Sequence, residues 1–319
     1  MTWELFSGDG APREVVFPAA PPWRQFATDA HDRAASYQSS PEVVQMLNAA
    51  IHLRRPLLIT GNPGSGKTTI AYAVARELRL GTVLRWSITS HSTLNDGLYQ
   101  YDAIGRLQEA NLYQLKNQQA GTLEPPPIGR YLRLGPLGTA LTTHAKAQPR
   151  VLLVDELDKS DIDLPNDLLH IFEEGRFTIP ELERAPDEPL EGMAIRPSDE
   201  GEPVLIKKGI VRCDEFPLVI FTSNGERDFP PAFYRRCLRL DLPDPDEARL
   251  HQIVAAHLGE AVLDEQVRRL IQNFIELRGS RTLATDQLLN AVLLLSQGRV
   301  DDQAWPKLKD ALLRSLTNA

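Results

Sequence analysis

Residues 61–68 read Gly61-Asn62-Pro63-Gly64-Ser65-Gly66-Lys67-Thr68 and satisfy G-x-x-x-x-G-K-[ST] at every fixed position. An octapeptide this rich in Gly and Pro can be a plain tight turn. The flanking sequence argues for more. The apolar run Pro56-Leu57-Leu58-Ile59 reads as a strand ending just before the loop, and residues 70–78 supply helix-forming residues just after it. Strand, glycine-rich loop and helix together make a phosphate-binding loop. Its glycines allow successive N–H groups to point into one concavity. Lys67 is placed to reach the β- and γ-phosphates, Thr68 to ligate Mg²⁺, and Thr69 continues the helix start. The expected ligand is a nucleoside triphosphate.

Strands of one kind recur downstream. Residues 82–88 and 150–155 read as the second and third, 218–221 as the fourth and 237–240 as the fifth. The third and fourth are almost wholly apolar, which marks strands buried on both faces. Helical stretches lie between them, so the expected fold class is α/β, a parallel sheet covered on both sides. Ser40, Pro41 and Glu42 form a helix-start signal ahead of Val43, Leu47 and Ile51, and that helix should stop near Arg54 and Arg55. Beyond Pro243-Asp244-Pro245 the apolar residues follow helical spacing to the end, as in Val267, Leu270, Ile271 and Phe274.

The expected division is an extended arm over 1–40, an α/β core over 41–243 and a helical lid over 244–319. Trp3, Phe6, Trp23 and Phe26 are candidate anchors for the arm. The Pro- and acid-rich stretch 181–203 reads as an inserted surface loop, with Val204-Leu205-Ile206 as one arm of a hairpin beside it.

Composition removes several classes of function. A formal net charge of −8 and a pI near 5.5 give no overall signature of a nucleic-acid or anionic-membrane binder. No apolar run approaches the ~18 residues of a membrane span. Cys213 and Cys237 lie in no metal-ligand spacing, so buried thiols and a cytoplasmic setting are expected.

Two carboxylates end the third strand. In phosphate-loop proteins an acid there holds Mg²⁺, the role expected of Asp155. Glu156, one residue on, is placed to take a proton from the water that attacks the γ-phosphate. The blander reading is that both acids simply open the next loop. Thr222-Ser223-Asn224 ends the fourth strand, and the neutral Asn224 amide can orient that water without adding charge. Arg235 and Arg236 follow a short helix opened by Pro230-Pro231. Either can stabilise charge on the transferring phosphoryl group, or both can pair with surface acids. His91, within Ser90-His91-Ser92-Thr93, is either a nucleotide sensor or part of a solvated loop.

In this order the motifs resemble an AAA+ ATPase. More narrowly, residues 99–106, Asp155-Glu156-Leu157-Asp158-Lys159, residues 164–169 and Pro231-Ala232-Phe233-Tyr234-Arg235-Arg236-Cys237 resemble the MoxR branch, over roughly residues 37–295. The resemblance implies ATP and Mg²⁺ as ligands, a five-stranded sheet in the order 5-1-4-3-2, a helical lid and a ring, usually of six subunits. It assigns the arginine finger to Arg235 or Arg236 and sensor 2 to Arg281. It also implies a remodelling or activating role toward a client protein, commonly one with a von Willebrand factor A domain. Many relatives carry a proline before that sensor arginine, where this chain has Gly279-Ser280. Tyr99 and Tyr101 lie where pore-facing loops occur in such proteins; the alternative is that they pack on the core.

Two other classes share the fold: a slow nucleotide-gated switch or scaffold, and a nucleic-acid motor or clamp loader. A guanine-specific protein is disfavoured because no N-K-x-D follows a strand. ATP is therefore expected to outcompete GTP in a nucleotide competition assay, and a preference for GTP would refute the adenine assignment.

Overall fold

The computed structural model describes residues 5–6, 8–24, 34, 37, 39–120, 126–142, 148–184, 192–297, 300 and 303–316, without the side chains of 115–120. Five strands form the main sheet: β1 (Leu57–Thr60), β2 (Leu84–Ser87), β3 (Val151–Asp155), β4 (Leu218–Ser223) and β5 (Leu238–Asp241). Their order is β5-β1-β4-β3-β2, the order expected above. β1 with β4, β4 with β3 and β3 with β2 pair in parallel. At the other edge Leu238 N donates to Pro56 O at 2.8 Å.

Every residue of β3 and β4 is buried, as two-faced coverage requires. β2 alternates instead, with Leu84 and Trp86 buried and Arg85 and Ser87 exposed, the pattern of an edge strand.

Chain contacts divide the molecule into two compact units. One gathers residues 39–60 and 68–240; the other gathers 1–38, 61–67 and 241–319. The first holds most of the sheet and a core that includes Leu58, Leu152, Val154, Phe221 and Phe233. Helix α1 (Pro41–Leu53) starts as expected, with Ser40 Oγ accepting from Val43 N at 3.3 Å, and ends on a left-handed Arg54.

The expected loop at 181–203 is corrected in its described part. Pro180–Glu183 is a helical turn, and Met193–Ile195 pairs antiparallel with Val204–Ile206. Leu182, Met193 and Ile195 are buried in the core. Buried Met193 and Ile195, with buried Ile206 on the facing arm, hold the hairpin despite the acidic, proline-rich composition around it. The predicted hairpin arm at 204–206 is present.

The second unit is helical. Among the described residues four helices, Glu247–Leu258, Glu265–Arg278, Thr285–Ser296 and Trp305–Leu312, enclose Leu250, Val254, Val267, Ile271, Phe274, Leu288 and Val292. Asp246 and Asp264 cap the first two through their side chains. Trp23 is an anchor for the N-terminal stretch: its indole N–H donates to Asn290 Oδ1 at 3.2 Å, and its ring meets His257 edge-on. Phe6 does not share that role, being 86% exposed, and Trp3 and Phe26 lie outside the described residues.

Phe233 is fully buried between Phe221 and Phe229, with ring centroids 5.1 and 5.2 Å away. Phe233→Ala should remove about 3–5 kcal/mol from the unit that carries the sheet, read as a lowered urea midpoint with native-like far-UV dichroism before the transition.

Candidate functional site

β3 ends on the acids, and a network of hydroxyl groups organises them. Asp155 is buried at the strand's carboxyl end. Its Oδ1 accepts from Thr68 Oγ1 at 2.9 Å and from Thr222 Oγ1 at 2.7 Å, while its Oδ2 accepts from Arg85 Nη2 at 2.6 Å. An isolated carboxylate in a protein interior is strongly unfavourable, and these three donors offset that burial. Thr222 also accepts from Glu156 N at 2.8 Å, so one buried hydroxyl ties both acids together.

The register explains why these side chains meet. β4 lies between β1 and β3, with Phe221 opposite Val154 and Ser223 opposite Thr60. Thr222, one residue beyond the Phe221–Val154 pair, therefore sits beside Asp155 at the end of β3. Glu156 follows in a left-handed conformation, φ 61° and ψ 48°, which is sparsely populated for a residue with a side chain. Its Oε2 accepts from Lys159 Nζ at 2.7 Å, a bond that pushes the lysine pKa upward and keeps the ammonium charged. Buried Asp158 is a further organiser: its Oδ2 accepts from Asn224 N at 2.9 Å and from Glu226 N at 3.2 Å. Asn224 is thus fixed through its backbone at the end of β4.

Sequence reasoning selected Asp155, Glu156, Thr68 and Asn224. It did not select Thr222, Arg85, Asp158 or Lys159 as working parts. Asp158 and Lys159 carried a usable signal, because they follow the strand-end acids within one turn. Arg85 and Thr222 carried none, because only strand register brings them to Asp155.

The phosphate loop belongs, by its contacts, with the helical unit. Gly64 has φ +76°, and a Cβ there would stand 2.9 Å from Thr285 N and 3.2 Å from Ala284 Cβ at the start of the helix Thr285–Ser296. Gly66 has φ +91°, and a Cβ would press on the Tyr37 ring. Both positions therefore require glycine on conformation, and Gly64 on space as well. Lys67 Nζ donates to Gly61 O at 2.6 Å and to Asn62 O at 3.0 Å, folding back over its own loop. Asn62 also donates to Asp244 Oδ2 at 3.0 Å.

Ser65 Oγ is buried without a hydrogen-bond partner, an orphaned hydroxyl in the loop. Helix α2 (Lys67–Glu77) begins at the loop's end, and the first N–H groups of a helix lack intrahelical acceptors. Both features suit an anionic phosphate. Among the described residues no group of three or more His, Cys, Asp or Glu can hold a metal ion. Magnesium in a phosphate-loop site needs no such group, since one or two protein oxygens and the phosphates suffice.

Elsewhere the expected residues separate. Arg236 pairs with Glu173, whereas Arg235 is exposed and its side chain has no partner among the described residues. Arg55 donates to the carbonyls of both, which fixes the end of their helix, Pro231–Arg236. Arg281 is exposed in the bend before the helix Thr285–Ser296, three residues ahead of the Ala284 that adjoins Gly64.

Tyr99 is buried, stacks on Phe177 and donates to Glu181 at 3.0 Å. Burial and then that bond raise its phenol to about 12. Tyr101 accepts from Arg106 at 3.0 Å. Of the two readings these tyrosines carried, packing on the core holds for Tyr99. His91 lies in an exposed turn of Ser and Thr residues. Cys237 is buried and its thiol is raised to about 12, chiefly by burial.

Residues 56–237, more than half of the chain, match the family model described as AAA domain, dynein-related subfamily. No curated protein matches the chain.

Thr222→Val keeps the shape of the side chain but leaves Asp155 Oδ1 and Glu156 N each short of a partner. A loss of about 1–3 kcal/mol in chemical denaturation is expected, with Thr222→Ser retaining most of the wild-type value.

Proposed function

We propose, for a chain that belongs to the dynein-related subfamily of AAA domains, that it is an ATP-hydrolysing machine of the MoxR-like kind. In this reading it assembles as a ring, commonly of six subunits, and remodels or activates a client protein. The observation that carries the proposal is the hydrogen bond from Thr68 to Asp155, with Thr222 joining Asp155 to Glu156. The loop residue expected to ligate magnesium and the acid expected to support that magnesium are already joined.

When bound, magnesium would neutralise charge on the β- and γ-phosphates, held by Thr68 and Asp155. Residues 61–68, with Thr69, would supply backbone donors to the phosphates. The Lys67 ammonium would exchange its loop carbonyls for phosphate oxygens. Glu156 accepts the proton of the attacking water, and Asn224 orients that water. Arg235 is the better finger: it is exposed and unpaired among the described residues, whereas Arg236 is committed to Glu173. An arginine that works in a neighbour's site has to be unengaged on its own subunit. Arg281 would act as sensor 2, and head-to-tail contacts that close on themselves would generate the ring.

The client is expected to be a protein, with a von Willebrand factor A domain as the leading class. No helix among the described residues is long and apolar enough to cross a membrane. A cytoplasmic setting remains part of the proposal.

One observation favours a second reading, a switch with slow basal turnover. The Glu156 carboxylate is paired with Lys159, and a base held by a cation must be released before it accepts a proton. Turnover separates the two readings.

Lys67→Ala should abolish ATP binding. Glu156→Gln should bind ATP with wild-type affinity and hydrolyse it at least about 100-fold more slowly. Arg235→Ala should reduce turnover by about 10³-fold or more at unchanged affinity, and Arg236→Ala should do less. ATP binding by calorimetry, together with phosphate release and light scattering across protein concentration, checks all four variants. Equal turnover in wild type and Glu156→Gln would refute the catalytic assignment, and turnover independent of assembly would refute the finger in trans.

A further inference from the structure

Of the three donors to Asp155, Thr68 lies in the phosphate loop and Thr222 within the strand-end stretch Thr222-Ser223-Asn224. The third, Arg85, has no such origin. It stands on β2 opposite Leu153, two residues before the Ser87 that faces Asp155 in the register. Its guanidinium is half-exposed, at 50%, while the Asp155 side chain is 6% exposed. The pair therefore joins a solvent-reaching cation to a buried anion.

A role in holding β2 to β3 does not explain it, because the parallel ladder already joins those strands over four residue pairs. Nor does an ordinary surface ion pair, whose two partners both face water. What Arg85 does distinctively is select an oxygen. The carboxylate torsion of aspartate is soft and roughly two-fold. With Arg85 on Oδ2 and the two threonines on Oδ1, that rotation is removed.

We propose that Arg85 is a positioning residue of the magnesium site, holding Asp155 by Oδ2 so that Oδ1 stays on the Thr68 side. The inference rests on the ATPase reading above. Magnesium demands near-ideal octahedral geometry and gains most from ligands already oriented. Partners that orient metal ligands are typically worth 10–100-fold in metal affinity. A guanidinium that instead competed with the metal for Asp155 would have the opposite sign, so the direction of the effect decides.

The experiment uses the full chain as wild type, Arg85→Ala, Arg85→Lys and Lys67→Ala. ATP binding is followed by calorimetry in EDTA and across a magnesium titration, with thermal melts in parallel. In Arg85→Ala the magnesium concentration at half-effect should rise about 10-fold or more, Arg85→Lys should recover part of that, and affinity in EDTA should stay at the wild-type value. An unchanged or lowered magnesium midpoint in Arg85→Ala, or an equal loss of affinity in EDTA, would overturn the proposal. Should Arg85→Ala fail to fold, Arg85→Gln and Arg85→Lys carry the same comparison. If wild type and Lys67→Ala bind ATP alike, the ATPase reading itself is wrong; if they differ while Arg85→Ala follows wild type, only the role of Arg85 is wrong.

Discussion

The site depends on keeping one carboxylate inside the protein. β3 runs Val151-Leu152-Leu153-Val154-Asp155, every residue buried, and ends in an acid that has little access to water. Burying a charged group is tolerable only when donors surround it. Three do so here, from the start of α2, from β4 and from β2. The strand order β1-β4-β3-β2 is what delivers them, since β4 and β2 are the two neighbours of β3. Sheet topology and site chemistry are therefore one requirement: a different order of strands would leave Asp155 with fewer partners.

Local patterns in the sequence made part of this readable. β3 and β4 were legible because continuous apolar runs have few other uses in a chain of this composition. Lys67, Thr68, Asp155 and Glu156 stand out as candidates because a phosphate-loop motif and a strand-end pair of acids are short and contiguous. The expected sheet order is present as well. Strand ends were less exact. The second strand spans Leu84–Ser87 within an expected 82–88, because its exposed Arg85 and Ser87 weaken the edge signal on either side of Trp86.

Other features depended on distance in the chain. Arg85 and Thr222 lie about seventy residues to either side of Asp155 in sequence, and no local spacing links them. Stretch 181–203 misled for a different reason. Its average composition is that of solvent-exposed chain, yet Leu182, Met193 and Ile195 are each buried. A few well-placed apolar side chains outweigh a polar mean, because burial acts residue by residue. Residues 61–67 gave no sign of their affiliation either: the contacts of Gly64 with Ala284 and Thr285 join segments more than two hundred positions apart.

The left-handed backbone at Glu156 has a consequence for how such a chain can change over time. Glycine would relax that conformation by about 1 kcal/mol, and asparagine tolerates it better than glutamate does. Random drift toward greater robustness therefore pulls this position away from the acid that the proposed hydrolysis requires. Retaining glutamate there opposes the local stability gradient, the familiar conflict between a sturdier fold and a working one. Heat-hardened descendants selected without regard to turnover would be expected to lose the carboxylate at this position early.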